Sequence, residues 1–342
     1  MDKKCYVIGV YPPPYGGATV KCKLFCEMLR KGGENVKQID IYEMSRDKKR
    51  IPFVLNKCIK AFRSKSEIVY CLDSKRLWMI MSLQSIFKQS FNRTTVLVIG
   101  GVFHETVLEY KRLGRNLKLV KGIWVETEGM KQKLVDMGYD NIEVFPNPKS
   151  EIGCCEPRVS KEKDSLRLLF FSQISKEKGV KDIIKLVHIL DSSKNIKYSL
   201  DFYGQIVGEF KKEFEEFVSK SPNVKYCGVF DSTKSSVYKK LNEYDILLFP
   251  THWKGEGVPG ILVEAKMAGL AVIASPMNFN AEIIREDKDE GFLLKKDYPN
   301  EMLEIIQKCM RDKKLLEHIK LESYRSRKRY AISEYEKMIK DL

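Results

Sequence analysis

Residues 245–275 decide the fold: Asp245-Ile-Leu-Leu-Phe-Pro-Thr-His-Trp-Lys-Gly-Glu-Gly-Val-Pro-Gly-Ile-Leu-Val-Glu-Ala-Lys-Met-Ala-Gly-Leu-Ala-Val-Ile-Ala-Ser275. They read as strand, glycine-rich loop, helix, glycine stop and strand. Pro259 suits the first helical turn, where its missing N–H is no loss, and Gly269 suits the position beyond the helix end. Such a helix start leaves the backbone N–H groups of Val258, Gly260 and Ile261 as donors at its positive end, where phosphate or sugar oxygens are attracted. Two carboxylates frame it. Glu256 lies in the loop and Glu264 in the helix, and each ionised carboxylate can accept two hydrogen bonds from vicinal hydroxyls. One would suit a hexose and the other a ribose.

Outward from this segment, short apolar runs rich in β-branched residues alternate with longer helical patterns, as in parallel sheets with crossover helices. In the first half, strands are expected at Cys5–Val10, Asn35–Ile41, Ile68–Leu72, Thr95–Ile99, Ile123–Glu126 and Ile142–Phe145. In the second half they are expected at Arg167–Phe171, Tyr198–Tyr203, Val224–Tyr226, Asp245–Phe249, Ala271–Ala274 and Gly291–Leu294. Pro146-Asn147-Pro148 and the polar stretch to about Asp164 make a linker. The expected fold is α/β, with two Rossmann-like doubly wound domains, 1–150 and 151–325, facing a central cleft. A charged terminal helix, 326–342, would cross back to the first domain.

Glu256-Gly-Val-Pro-Gly-Ile-Leu-Val-Glu264, with the Ala-Gly-x-x-Val-Ile-Ala-Ser continuation, resembles the Glu-x7-Glu signature of retaining, nucleotide-sugar-dependent glycosyltransferases of the GT-B fold, family four. These enzymes are common in bacterial capsule, O-antigen and lipopolysaccharide assembly, and their order of segments covers nearly the whole chain. The resemblance implies an acceptor-binding first domain and a donor-binding second domain, with Glu256 on the sugar hydroxyls and Glu264 on the ribose.

Three further segments fall where that family would put them. Tyr11-Pro-Pro-Pro-Tyr-Gly-Gly-Ala-Thr19 resembles the loop that approaches the donor, with Gly16 and Gly17 closing over its phosphate. Phe171-Ser-Gln-Ile-Ser-Lys-Glu-Lys-Gly179 resembles the segment whose two cations neutralise the leaving diphosphate. Lys178 matches its lysine, but Gln173 stands where the family usually has arginine. A charge-assisted hydrogen bond is worth roughly 1.5 to 3 kcal/mol, so an uncharged donor there calls for compensation by Lys178 or the helix start. Val96-Leu-Val-Ile-Gly-Gly-Val-Phe-His104 ends a strand with a histidine on the acceptor side, able to take up a proton. Gly204, after the Tyr198–Tyr203 strand, resembles a nucleotide-facing turn. His252 could line the donor loop.

The 342 residues, 43% of them apolar, are ample for two cores and exclude disorder or a disulfide-stapled miniature. Nine cysteines, scattered without zinc-type spacing, read as reduced thiols, with Cys22 and Cys26 as core-facing helix residues. No apolar run is long enough to span a bilayer, and the amino terminus reads as a strand entering a turn, so a soluble cytoplasmic protein without a cleaved leader is expected. Asp287-Lys-Asp289 reads as a solvated turn. With cationic and helix-end groups available for the phosphate, no divalent metal or other cofactor is required.

The net charge of +15 is uneven. Residues 1–150 hold 27 basic and 15 acidic residues, leaving 34 and 31 for the remainder. Much of the excess lies between Met44 and Arg93, where Phe53, Leu55, Ile59 and Phe62 alternate with Lys57, Lys60, Arg63 and Lys65. Two readings fit this stretch: crossover helices with basic outer faces, or an interfacial surface for anionic lipid. No aromatic-basic module for nucleic acid is present.

The function expected is transfer of a hexosyl unit, with retention, from a nucleoside-diphosphate sugar (UDP favoured) to a lipid-linked or growing cell-surface polysaccharide at the anionic inner face of the bacterial membrane. Two alternatives stay open: a nucleotide-sugar epimerase or sugar-phosphate synthase of the same fold, and a non-catalytic binding protein.

Overall fold

The computed structural model describes residues 4–13, 16–158, 165–193, 196–232 and 234–342. They divide into two compact units. The first comprises residues 1–148 with 255–258 and 332–342, and the second 149–254 with 259–331.

The first unit holds six parallel strands: β1 (Lys4–Gly9), β2 (Asn35–Asp40), β3 (Glu67–Leu72), β4 (Thr94–Val98), β5 (Gly122–Val125) and β6 (Ile142–Val144), in the order β2-β1-β3-β4-β5-β6. Register pairs Val7 with Val69 and Val69 with Thr95. All five residues of β4 are buried, as expected of a central strand with both faces covered by crossover helices. β2 is an edge strand, and its exposed lysine and glutamine discourage further strand addition.

Helix Gly17–Lys31 packs Cys22, Phe25, Cys26 and Leu29 inward at helical spacing. The Cys22 thiol donates to the Cys71 carbonyl at 2.8 Å, so these cysteines are core residues. Helix Ile51–Arg63 buries Val54, Cys58, Ala61 and Phe62, and helix Ser74–Gln84 buries Leu77, Ile80 and Met81. The basic stretch therefore does form crossover helices. Phe53, Met79 and Ile86 nevertheless stay exposed, with the Lys57 ammonium 4.3 Å from the centre of the Phe53 ring.

The second unit holds β7 (Ser165–Phe171), β8 (Lys197–Tyr203), β9 (Val224–Tyr226), β10 (Ile246–Phe249), β11 (Ala271–Ala274) and β12 (Phe292–Leu293), again all parallel, in the order β12-β11-β10-β7-β8-β9. Ile246 to Phe249 and Ala271 to Ala274 are wholly buried. Helix Val180–Ser192 buries Val180, Ile183, Leu186, Val187 and Leu190 against this sheet. Each such side chain contributes on the order of 1.5 to 3 kcal/mol when fully buried.

All twelve expected strands are present, their ends shifted by at most two residues. The carboxyl-terminal segment differs from expectation. Residues 326–342 are not one helix but two 3-10 turns, Ser326–Tyr330 and Ile332–Tyr335, and a short helix, Glu336–Lys340. Between the turns, Ala331 is extended and forms a parallel bridge with Lys149, which a continuous helix could not do. Among the described residues, no helix is long and apolar enough to cross a membrane.

Candidate functional site

Ligands of open parallel sheets bind beyond the carboxyl ends of the strands, where the strand order reverses. In the second unit that point lies between β7 and β10, whose following loops carry Gln173, Lys178 and the 250–259 segment. Backbone contacts knit these loops together. The His252 N–H donates to the Glu177 carbonyl at 2.7 Å, and the Ile174 N–H to the Gln205 carbonyl at 2.9 Å.

Two glycines are required by this packing. Gly179 has φ +76°, and a Cβ there would be driven into the Pro250 carbonyl. Gly204, expected to face a nucleotide, has φ +145° and abuts the Ser172 carbonyl in the same way. Its conformation and its lack of a side chain thus have a structural cause within the fold. Gln173 is exposed and Lys178 half-buried on the loop that ends at Gly179. His252 is hydrogen-bonded through Nε2 to Asp182 Oδ2 at 2.6 Å and stacks on Tyr298.

Helix Gly260–Met267 begins one residue after Pro259, which takes the capping position, and it ends ahead of Gly269, whose φ is +60°. Gly260 and Ile261 form the first turn, whose N–H groups have no partner within the helix. Glu264, further along, pairs through Oε1 with the Lys149 ammonium at 3.1 Å. Sequence reading missed Lys149. It hides in the linker, and only its position after Pro146-Asn147-Pro148 marks it as a residue at a fixed bend.

Below Glu264, Lys266 is fully buried and pairs with Glu290 at 2.9 Å; Arg285 and Arg329 bind the same carboxylate. Burial, offset in part by Glu290, pulls the Lys266 ammonium down to about 8. Burial works against ionisation of Glu290 as well, but Arg285 and Lys266 outweigh it and hold this carboxyl below the usual range. Asp287 and Asp289 lie on an exposed turn, where Asp289 meets His318 at 3.1 Å.

In the first unit, the order reverses between β1 and β3. The loop after β1 leads to Gly16, the cap of helix Gly17–Lys31, whose N–H donates to Thr19 Oγ1 at 3.0 Å. Among the described residues, a Cβ on Gly16 or Gly17 would meet nothing within 4 Å, so their packing does not demand glycine at either position. His104 lies in the first turn of helix Phe103–Glu109. Burial, and then the Lys133 ammonium 3.3 Å from Nε2, push its pKa below the usual value, which favours the neutral ring with Nε2 accepting from Lys133.

Glu256 belongs to the short segment grouped with this unit and is buried at 8% exposure. The same segment brings a correction. The Val258 N–H, expected as a spare donor for an anion, donates to Glu126 Oε2 at 3.1 Å, and the Val258 carbonyl accepts from the Asn147 side chain at 3.2 Å. Glu126 is itself buried and paired with Lys21 at 2.6 Å, and Lys21 also donates to the Val98 carbonyl. Neither Lys21 nor Glu126 stood out in the sequence. The one available signal was an acidic residue at the carboxyl end of an apolar strand.

The pattern of the family described as Glycosyl transferases group 1 matches residues 156–326, half of the chain. A protein from Klebsiella pneumoniae, described as an uncharacterized 41.2 kDa protein in the cps region, is 30% identical over 153 residues, 45% of this chain and 38% of that protein. The capsular polysaccharide biosynthesis glycosyltransferase CapH of Staphylococcus aureus is 27% identical over 147 residues, 42% of this chain and 39% of CapH. The alignments thus span well under two thirds of these curated relatives. The crystal structure of Anabaena Alr3699/HepE in complex with UDP superposes with a TM-score of 0.76 at 13% identity, covering 99% of this chain and 98% of that one. That likeness establishes the fold as GT-B, built on two Rossmann-like parallel sheets. With its matched half lying in the second unit apart from residues 255–258, and with this fold throughout, the chain belongs to the group 1 glycosyl transferases.

Proposed function

We propose that this protein is a retaining glycosyltransferase that moves a hexosyl unit from a nucleoside-diphosphate sugar, UDP-linked by preference, to a lipid-linked or growing cell-surface polysaccharide. The observation that carries this reading is the Glu256 to Glu264 signature, placed in the loop and helix that follow β10, beside the reversal of strand order. The crystal structure of HepE in complex with UDP-glucose, and the description of CapH as a capsular polysaccharide biosynthesis glycosyltransferase, support the donor and acceptor classes.

The second unit would hold the donor. Its sugar hydroxyls would donate to Glu256 and its ribose to Glu264. Breaking the anomeric C–O bond leaves negative charge on the diphosphate, which Lys178, Gln173 and the first-turn N–H groups of Gly260 and Ile261 would stabilise. The charge is thereby met without a divalent metal. Gly204 would border the nucleotide, and Gly16 and Gly17 would approach the phosphate. The first unit would hold the acceptor. Neutral His104 could accept a proton or hydrogen bond from its hydroxyl once Lys133 gives way at Nε2.

Binding measurements with a panel of UDP-, GDP- and dTDP-sugars, followed by product analysis with a lipid-linked acceptor, test the reading. Saturable donor binding and acceptor-dependent glycosyl transfer are expected. An isomerised nucleotide sugar formed without acceptor would replace this reading with an epimerase, and donor binding with no transfer would point to a binding protein.

Location at the inner face of the cytoplasmic membrane belongs to the same proposal. It rests on the basic first unit and its exposed Phe53, Met79 and Ile86. Each basic residue near an anionic surface is worth about 1 kcal/mol. Retention on phosphatidylglycerol vesicles should therefore fall steeply with added salt, and equal retention on neutral vesicles would count against the location.

A further inference from the structure

Lys149 lies outside the signature, yet its ammonium is buried at 7% exposure and sits 3.1 Å from Glu264 Oε1. Its backbone is fixed as firmly as its side chain. The Lys149 N–H donates to the Tyr330 carbonyl at 2.8 Å, Lys149 bridges to Ala331, and the next carbonyl, of Ser150, accepts from Tyr238 Oη at 2.9 Å. Lys149 follows the first passage of the chain into the second unit, and Ala331 precedes the last passage out of it. Both ends of the unit are thus tied together at the residue that holds Glu264.

A carboxylate that reads a vicinal diol must be ionised, held in one rotamer, and left with acceptor capacity facing the ligand. Lys149 fixes the rotamer by engaging Oε1, and the 22% exposure of Glu264 leaves its remaining lone pairs within reach of a ligand. A buried ammonium is costly without its partner, so the pair holds a single geometry more firmly than an exposed pair of long side chains would.

We infer that Lys149 is a positioning residue for nucleoside recognition: it presents Glu264 to the ribose diol of the donor and sets the preference for ribo- over deoxyribonucleotides. This rests on the reading that Glu264 faces the ribose.

Calorimetric titration of the full-length protein with UDP and with 2′-deoxy-UDP tests it. Wild type should bind UDP about tenfold more tightly, the value of one charge-assisted hydrogen bond. In Lys149→Met, of similar length but uncharged, that ratio should collapse to within about twofold. Lys149→Gln, which keeps a donor without the charge, should lose at least about threefold of it and serves if the methionine variant does not fold. A purely structural lysine would lower the melting temperature and leave the ratio unchanged, so an unchanged ratio in either folded variant overturns the inference. Wild type that binds both nucleotides equally would instead remove Glu264 from the ribose, and the role of Lys149 with it. Glu264→Gln combined with Lys149→Met should discriminate no less than Glu264→Gln alone; a further loss would show that Lys149 acts elsewhere.

Discussion

The two sheets have the same number of strands and the same parallel sense, but they are wound differently. Read from its β9 edge, the second sheet runs 3-2-1-4-5-6 in its own numbering, the order associated with dinucleotide sites; the first runs 2-1-3-4-5-6. Two pairs of loop glycines differ as well. In the second unit, Gly179 and Gly204 are forced by backbone packed against them. In the first, no described residue lies within 4 Å of a Cβ built on Gly16 or Gly17. Net charge is also uneven, with most of the excess in the first half of the sequence, but buried ion pairs occur in both units: Lys21 on Glu126 in the first, and Lys149 on Glu264 and Lys266 on Glu290 in the second. On the proposed roles, a pocket for a nucleotide gains from backbone packed close around it, as at Gly179 and Gly204. A surface for a large, variable acceptor gains more from open loops and long-range charge.

The largest way to break this contrast is Glu290→Ala. Glu290 is the carboxylate shared by Lys266, Arg285 and Arg329, and its loss leaves the buried Lys266 unpaired. A loss of about 3 to 5 kcal/mol is expected in denaturant titration, and a loss below about 1 kcal/mol would show that the network is dispensable.

Glu256→Ala should lower turnover by about two to three orders of magnitude, with a far-ultraviolet circular dichroism spectrum like that of wild type. Turnover near the wild-type rate would sink the assignment of Glu256.

The glycine contrast is next in size. Gly179→Ala should destabilise by about 2 kcal/mol or more, because its φ of +76° and the adjoining Pro250 carbonyl both exclude a side chain. Gly16→Ala should change stability by less than about 0.5 kcal/mol while weakening donor binding. Equal stability losses at the two positions would erase the distinction between packed and open loops.

The smallest effect is one of pH. Because burial lowers Lys266 to about 8 from the usual 10.5, the folded protein sheds this proton before the unfolded chain does. Between those values the unfolded state binds more protons, so stability contributed at this site rises with pH. The melting temperature of wild type minus that of Lys266→Met should therefore increase from pH 8 to pH 10; a flat or falling difference would mean that Lys266 keeps its proton in the fold.

Much of this was legible in the sequence. Apolar runs such as Ile246-Leu-Leu-Phe249 lie between turn residues, and a strand buried on both faces leaves that trace wherever it occurs. Pro259 and Gly269 marked the ends of the signature helix to within a residue, because both act through their own backbone dihedrals. The terminal segment was misread for the complementary reason. Its charge and helical spacing say helix, but Ala331 is pulled into an extended pairing by Lys149, 182 residues earlier in the chain. Similarly, the Val258 N–H looks free until β5 brings Glu126 beneath it.

Local chemistry thus determined the strands, the helix ends, the Glu256 to Glu264 spacing and the basic excess of the first half, since each depends on neighbours along the chain. Which lysine holds Glu264, which carboxylate occupies Val258, what forbids a side chain at Gly179 and what lowers the pKa of His104 were decided only by tertiary structure. Those are through-space contacts between residues far apart in sequence, and burial alone gives their charges and hydrogen bonds their weight.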